Sequence, residues 1–483
     1  MDASQFEEWT ISDLQQAMGA GEMTAVDITL LYLQRIAEFD QQGKHIGSVL
    51  EVNPDALFLA NACDEERARG ILRGPLHGIP VLLKDNIDTA DKMHTSAGSV
   101  ALANSYAQAD AFVVEQLRKA GAVILGKTNM TEWANFMTEN MPNGYSSRGG
   151  QVLNPYGPGV HDVGGSSSGS GAAVSANFTA FAIGTETSGS ILSPASQNSI
   201  VGLKPTIGLI SRRGMIPIAF SQDTAGPMAR TVRDVALVLG ALTGVDKQDS
   251  ATYAGERLRL ADYSFGLTTA GLNGARIGVA REPYFHELTK SQVALLDAAI
   301  QVMKDCGARV QDPVVLPSAN EETDYEVLVY EFKVALNAYL QRLPSTVPVH
   351  SLADVIAFNE EHAAIALKYG QTILKQSEMT SGTLVEPKYI YSRLRDLRQS
   401  RERGLDVAFF EQGFEAVVFP AHFGADIAAK AGYPSLTVPA GYDDKGFPIG
   451  VTFCGPAFSE HKLLQFGYAF EQATRHRISP QLL

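Results

Sequence analysis

The chain has 483 residues, 45% hydrophobic and 19% charged, a composition typical of a globular enzyme with a large core. Its net charge of −14, without basic clusters, argues against nucleic acid and an anionic membrane surface as partners. No run of about 18 apolar residues is long enough to span a membrane, and the acidic first residues lack the order of a secretion signal. The three distant cysteines, Cys63, Cys306 and Cys454, predict no disulfide framework. We therefore expect a cytoplasmic protein.

Residues 1–65 predict a layer of helices. Ser12–Gln15 and Thr24–Asp27 each have the pattern of a capping box, with a side-chain acceptor at the start and a partner three residues later. Apolar residues between 14 and 36 give these helices one hydrophobic face. A layer that covers the core is favoured over a dimerisation hairpin. A monomer and a homodimer both stay open.

From residue 78 onward, helix and strand patterns alternate. A helix over 110–119 precedes a strand at 122–125, and a second such unit covers 289–310. Helices interleaved with short apolar strands predict a covered, mostly parallel or mixed sheet. Residues 318–410 form a charged, helix-rich stretch, which we interpret as a solvated face rather than a binding surface. Further strands are predicted at 277–280, 416–419, 435–438 and 450–453.

Residues 163–203 carry a single charge, Glu186, and open with the glycine- and serine-rich turn 164–171. Small residues let backbone N–H groups approach a bound group, and a serine placed there can act as a nucleophile. A flexible linker is a poorer interpretation, because the turn runs directly into 172–183, which we predict to be a buried helix. A phosphate-binding loop is disfavoured, since its Lys-Ser/Thr pair is absent.

Ser190 is the better nucleophile candidate. It ends the turn 187–190, whose successive N–H groups can converge on one oxygen, as an oxyanion hole for acyl transfer requires. The turn is not a G-x-S-x-G elbow, because no glycine stands two residues after Ser190. Taken alone, the same residues would more often form an ordinary turn.

A serine nucleophile needs a base, yet no histidine stands in a recognisable pairing and the HExxH motif of zinc hydrolases is absent. His77 is expected to have a structural or surface role. Lys84 ends the apolar run 79–83, where desolvation would lower its pKa and make the neutral amine available. The alternative is a strand-end lysine that reaches solvent or pairs with Asp85 or Asp88.

Together these stretches resemble the amidase signature family. The resemblance is dense from residue 70 to 245 and returns at 431–439; segments 216–223 and 330–333 look most like bacterial peptide amidases. The chain departs from the family pattern at Ser188, at Leu192 and in a shortened segment at 419–424, near where substrate selection is expected. The matching motifs are Gly78–Asn86, Gly126–Glu132, Gly164–Gly169, Gly184–Ile191, Val201–Thr206 and Ser221–Pro227.

The resemblance implies a Ser–cis-Ser–Lys triad. By motif position, Ser190 is the nucleophile, Ser166 the bridging serine held by a cis peptide, and Lys84 the base. The implied oxyanion hole is the set of backbone N–H groups of Thr187, Ser188, Gly189 and Ser190. No metal or organic cofactor is implied. The implied fold is one α/β domain over 1–483, with a central mixed sheet between layers of helices, an N-terminal helical layer at 1–65, a signature core at 70–245 and a helix-rich insertion at 318–410.

We hypothesise an amidohydrolase that converts a small amide or peptide amide to a carboxylic acid plus ammonia or an amine through an acyl-enzyme. Peptide C-terminal amides are one expected substrate class. One alternative is the amidase subunit of a tRNA-dependent amidotransferase, which works with partner subunits and ATP. A second alternative is an inactive remnant that only binds ligands, which the presence of all three triad residue types disfavours.

Overall fold

The computed structural model describes residues 6–482, and its centre is an eleven-stranded sheet. A separate two-stranded ribbon is formed by β4 and β5. The strands are β1 Val49–Val52, β2 Pro80–Lys84, β3 Val123–Thr128, β4 Tyr145–Ser146, β5 Gly150–Gln151, β6 Phe181–Glu186, β7 Val201–Lys204, β8 Thr224–Ala229, β9 Arg276–Val279, β10 Arg309–Gln311, β11 Ala416–Pro420, β12 Ser435–Tyr442 and β13 Pro448–Cys454.

The sheet has the order β1-β3-β2-β6-β8-β7-β12-β13-β11-β9-β10. Strands β3, β2 and β6 run parallel, as do β11, β9 and β10, and the strands between these groups pair antiparallel. Strands β2, β3, β6 and β11 are buried along their whole length, as expected for a sheet covered on both faces. The predicted mixed sheet is confirmed.

Helices cover this sheet. Helix α5 packs on β2, β3, β6 and β8, and α15 packs on β12 and β13. Helices α9, α10 and α12, within the predicted helix-rich stretch, contribute to a second hydrophobic core that includes Phe332. The helices are α1 Ile11–Ala20, α2 Ala25–Arg35, α3 Ala56–Ala68, α4 Phe112–Lys119, α5 Ser168–Ser175, α6 Leu192–Gln197, α7 Val232–Leu242, α8 Lys290–Asp305, α9 Glu326–Leu340, α10 Leu352–Glu361, α11 Ala363–Ala366, α12 Thr372–Glu378, α13 Pro387–Leu397, α14 Ala425–Ala431 and α15 Glu460–Thr474.

The N-terminal segment is helical with two differences from prediction. The cap of α1 is Thr10, whose hydroxyl accepts from the Asp13 N–H, so the box predicted at Ser12 is wrong by two residues. The box at Thr24 is confirmed. The segment also contributes β1, an edge strand paired antiparallel with β3, which the sequence pattern did not predict.

The buried helix predicted over 172–183 is wrong in its second half. Helix α5 ends at Ser175, Asn177 adopts a left-handed backbone with φ 58°, and β6 begins at Phe181. Helix and strand are both buried on all sides, and a run of mostly apolar and small residues of this kind does not distinguish them by periodicity.

Close packing at the start of α5 depends on a glycine. A Cβ at Gly169 would lie 2.3 Å from the Asn129 carbonyl oxygen and 2.4 Å from that of Ser48. Glycine therefore lets the first turn of α5 press against the loop that follows β3. This contact fixes the serine-rich turn beside the carboxyl ends of β2 and β6.

The two ends of the chain hold the other end of α5. Arg477 binds the carboxylate of Glu8 with two hydrogen bonds of 2.7 Å and donates to the Ser175 carbonyl at 2.9 Å. Burial acts to raise the pKa of Glu8, but the charge and hydrogen bonds of Arg477 outweigh it and lower that pKa to about 2.

We predict that Glu8→Gln lowers the unfolding temperature at pH 7. The folded-state pKa of about 2 lies below the ordinary value of 4.5, so this stabilisation is present above pH 4.5 and is lost as the pH falls towards 2. Calorimetry of both proteins between pH 7 and pH 3.5 checks this. A gap in unfolding temperature that stays constant over that range would contradict it.

Candidate active site

Lys84 is the last residue of β2 and is completely buried. Its Nζ lies 2.7 Å from the Ser166 Oγ, 2.9 Å from the Thr185 Oγ1 and 3.1 Å from the Thr185 carbonyl oxygen. Burial lowers the pKa of Lys84 to about 7, although the negative charges of Glu186 and Asp223 act to raise it. About half of the Lys84 side chains are therefore neutral near pH 7. The predicted desolvation of Lys84 is confirmed, and the alternative of a lysine that reaches solvent is wrong.

Ser166 follows a cis peptide bond with Gly165 and is also completely buried. Its carbonyl oxygen accepts from the Thr131 N–H at 3.1 Å, which ties it to the loop after β3. The neighbouring Ser167 hydroxyl donates to the Thr185 carbonyl at 3.1 Å and accepts from the Thr185 N–H at 3.2 Å. The serine turn is thus fastened to the end of β6, next to the lysine.

Ser190 lies beside this pair and is 5% exposed. Its carbonyl oxygen accepts from the Ser167 N–H at 3.1 Å, so the two serine-bearing turns are joined through the backbone. Within residues 6–482, no hydrogen bond joins the hydroxyls of Ser166 and Ser190. The structure brings Lys84 and Ser166 into direct contact and leaves the Ser190 side chain facing a cavity.

The turn at 187–190 is shaped by the Glu186 carboxylate. That carboxylate accepts from the N–H groups of Ile191 at 2.7 Å and Leu192 at 3.0 Å. In the described part of the chain, the N–H groups of Thr187, Ser188 and Ser190 have no acceptor, whereas burial raises the pKa of the Glu186 carboxyl and the Gly189 N–H acts to lower it. Three of the four predicted oxyanion donors are consequently free.

Asp223 holds the same turn from the other side. One of its carboxylate oxygens accepts from the Thr187 hydroxyl at 2.5 Å, and the other accepts from the N–H groups of Ile218 and Ala219, each at 2.9 Å. Burial raises the pKa of Asp223 to about 6. Asp223 and Thr185 both lie within motifs that match the family, yet neither was assigned a role from the sequence. The available signal for Thr185 was a polar residue at the end of an apolar strand, whereas Asp223 stands between the polar residues Gln222 and Thr224 and had no such signal.

The cavity beside Ser190 has a volume of about 490 Å³, within the range of small-molecule sites. In the described residues, no group of three or more His, Cys, Asp or Glu side chains is arranged to hold a metal ion. The residues that line the cavity are Ala134, Asn135, Phe136, Glu139, Thr187, Ser188, Ser190, Ile218, Tyr325, Glu326, Leu328, Val329, Ile373 and Gln376.

A model of the Amidase family matches residues 27–425. The chain belongs to the amidase family. It is thus a hydrolase that acts on amides, as predicted from the sequence.

Between residues 6 and 482, no helix is both long and apolar enough to cross a membrane.

Solved structures of amidases agree with the fold. Native peptide amidase from Stenotrophomonas maltophilia is 46% identical with a TM-score of 0.93, covering 99% of this chain and 99% of the other. An amidase family protein from Bacillus anthracis is 40% identical with a TM-score of 0.94, covering 99% of this chain and 93% of the other. The fold class is therefore the amidase signature α/β fold.

Sequence relatives include a probable amidase from Arabidopsis thaliana, 41% identical over 99% of this chain and 92% of that protein. A glutamyl-tRNA(Gln) amidotransferase subunit from Rippkaea orientalis is 33% identical, covering 98% of this chain and 99% of that protein. The peptide amidase is thus more similar to this chain than the amidotransferase subunit is.

We predict that Lys84→Met stabilises the fold at pH 7 by up to about 4 kcal/mol, because a buried ammonium is unfavourable. The folded pKa of about 7 lies below the ordinary 10.5, so the unfolded chain binds more protons between these values. The free energy of unfolding of the wild type therefore rises with pH across that interval. The difference in this free energy between Lys84→Met and the wild type becomes smaller towards pH 10. Thermal unfolding at pH 7 and pH 10 measures this. The exposed-residue control Lys119→Met should show no such narrowing.

Proposed function

We propose that this amidase works through Ser190 as nucleophile, Ser166 as bridging serine and Lys84 as base. The observation that carries the proposal is the 2.7 Å contact between the Lys84 Nζ and the Ser166 Oγ, made in a fully buried setting. A buried amine with a pKa of about 7 can accept a proton near neutral pH, which an ordinary lysine cannot.

The surroundings of Lys84 support a defined direction for that proton. A neutral amine has two N–H donors and one lone pair. The carbonyl and hydroxyl oxygens of Thr185 lie within 3.1 Å and 2.9 Å and accept the two N–H groups. The lone pair is then left for the Ser166 hydroxyl, which donates to it. Asn86 donates to the same Thr185 hydroxyl at 3.0 Å and keeps it in place.

Acylation begins when the Ser190 oxygen attacks the amide carbonyl carbon. Ser190 passes its proton to Ser166 as Ser166 passes its own to Lys84. We expect the hydrogen bond between the two serine hydroxyls to form in the substrate complex, since catalytic contacts are often longer in unliganded enzymes. The free N–H groups of Thr187, Ser188 and Ser190 are the donors for the negative oxygen that develops.

Collapse of this intermediate breaks the C–N bond. The proton held by Lys84 returns through Ser166 to the leaving nitrogen, which departs as ammonia or an amine. A water molecule then attacks the Ser190 ester with the same groups removing its proton, which releases the carboxylic acid and restores the serine. The residues named supply every proton transfer without a cofactor.

We further propose that the substrates are C-terminal amides of amino acids or short peptides. The 46% identity to the Stenotrophomonas peptide amidase supports this class, as does a cavity of about 490 Å³ next to Ser190. The amidotransferase function is supported by a relative that is only 33% identical to this chain. Action by this chain alone, without ATP, distinguishes the two.

Substitution of each triad residue tests its proposed role. Ser190→Ala and Lys84→Ala should each lower kcat at least about a thousandfold, whereas Ser166→Ala should retain a low but measurable activity. Ammonia release from a peptide amide by the purified chain without ATP is the assay. A fluorophosphonate probe should label the wild type at Ser190 and leave Ser190→Ala unlabelled.

Ser193→Ala is the matched control, because Ser193 lies in the same buried region and its hydroxyl makes no hydrogen bond among residues 6–482. This variant should keep its activity. Full activity of Ser190→Ala, or a strict requirement for ATP, would contradict the proposal.

The rate of hydrolysis should depend on pH through the protonation of Lys84. Lys84 must be neutral to act as base, so kcat/KM should rise about tenfold per pH unit below 7 and level off above it. Asp223→Asn removes a negative charge that raises the pKa of Lys84, so the rising limb should move to lower pH. Rate profiles between pH 5 and 10 test both statements; a wild-type maximum near pH 5 would exclude Lys84 as base.

A further inference from the structure

The cavity beside Ser190 has one predominantly apolar wall. Phe136 follows β3, Ile218 precedes β8, and Leu328 and Val329 belong to α9, while Ile373 belongs to α12. Four separate segments therefore contribute hydrophobic side chains to one space. A ligand that fills it gains free energy by removing this apolar surface from water, which favours an acyl group with an apolar side chain.

The charged groups of the cavity are all acidic. Glu139 and Glu326 line it, and no lysine, arginine or histidine among the described residues does. The Glu326 carboxylate is paired with Lys388 at 2.7 Å. The Glu139 side chain is exposed, and within residues 6–482 its carboxylate has neither an ion pair nor a hydrogen bond. A residue with an unpaired carboxylate thus lines the space next to the nucleophile candidate.

The segment that bears Glu139 is tethered to the helix-rich stretch. The Glu139 N–H donates to the Thr372 hydroxyl at 3.3 Å, and that hydroxyl lies 3.0 Å from the Thr138 hydroxyl. Thr372 is the first residue of α12, which also supplies Ile373 to the apolar wall. The backbone at Glu139 and the apolar wall are therefore held in a fixed relation to each other.

A neighbouring cation is already engaged elsewhere. The Lys368 ammonium lies over the rings of Tyr145 and Tyr369, at 4.9 Å and 5.3 Å from their centroids. Such cation–π contacts hold an ammonium on the aromatic faces. Glu139 consequently remains available to a positive group that enters with the substrate.

We infer that Glu139 selects substrates whose acyl part carries a protonated amino group next to an apolar side chain. This inference rests on the proposed function and narrows it to amides of amino acids or short peptides with a free N-terminus. Amides that carry a free carboxylate are disfavoured by the same charge, because two negative groups would face each other in a partly desolvated cavity.

The experiment compares phenylalanine amide and glycyl-phenylalanine amide with their N-acetylated forms at pH 7 and low salt. An α-amino group has an ordinary pKa of about 7.7–8.0, so most of each free amine is protonated. For the length whose amine reaches Glu139, the wild type should show about a three- to tenfold higher kcat/KM with the free amine than with the acetylated form. Acetylation also alters the reactivity of the carbonyl. The ratio is therefore compared between variants, where that intrinsic difference cancels.

Glu139→Gln should reduce this ratio by about the same three- to tenfold, and Glu139→Lys should shift it further towards the acetylated amide. Added salt of about 0.5 M should diminish the wild-type preference, because an exposed pair is screened. Glu22→Gln is the matched control: Glu22 is exposed, lies far along the chain from the cavity segments and should keep the wild-type ratio.

Two failures are distinguishable. If the wild type releases ammonia from none of the four amides, the proposed peptide-amide function is wrong, and the role of Glu139 falls with it. If the amides are hydrolysed and the ratio is the same in wild type and Glu139→Gln at both lengths, the proposed function stands and the selection by Glu139 is wrong.

Discussion

The buried amine of Lys84 is the constraint on which the rest of the site depends. Removing an ammonium from water is unfavourable, and here three hydrogen-bonding oxygens, from Ser166 and Thr185, surround the nitrogen without supplying a full counter-charge. The two nearby acids, Glu186 and Asp223, only partly offset the desolvation. The amine is thereby kept near the point where it exchanges its proton, which an exposed lysine or a tight ion pair would prevent.

The sheet brings these groups together through the pairing of two parallel strands. In the register of β2 and β6, Leu83 lies opposite Ile183, so Lys84 and Thr185 both emerge at the carboxyl edge. Helix α5 packs across both strands, and the turn before it presents Ser166 at the same edge. Ligands and catalytic groups commonly collect at such edges, because loops there can vary while the strands stay rigid.

The sequence was sufficient for the alternation of elements, the mixed sheet and the apolar environment of Lys84, because these depend on local pattern. It was insufficient where one pattern suits two structures: the run 172–183 is divided between α5 and β6, and the division is marked only by Asn177, a residue type that ends helices in a left-handed backbone but also occurs within them. The cap at Thr10 instead of Ser12 shows the same limit, since several polar residues there can start a helix.

The roles of Asp223 and Thr185 could not be predicted for a different reason. Their partners lie 36 and 101 residues away along the chain, at Thr187 and Lys84, and only the folded sheet brings them together. The contact from Lys84 to Ser166 spans a comparable 82 residues. Motif resemblance led to that pair, whereas the residues alone left it as one alternative among several.

Half of the residues that line the cavity come from a different part of the chain than the proposed triad does. Lys84, Ser166 and Ser190 belong to the region before residue 191, whereas α9 and α12 supply apolar side chains from beyond residue 325. Point changes on those two helices can therefore alter which molecules are accepted without disturbing the residues of the proposed triad. With such a modular arrangement, substitutions on these helices can change the range of substrates while the rate of amide hydrolysis is kept. The helical segment is therefore the natural target for redesign.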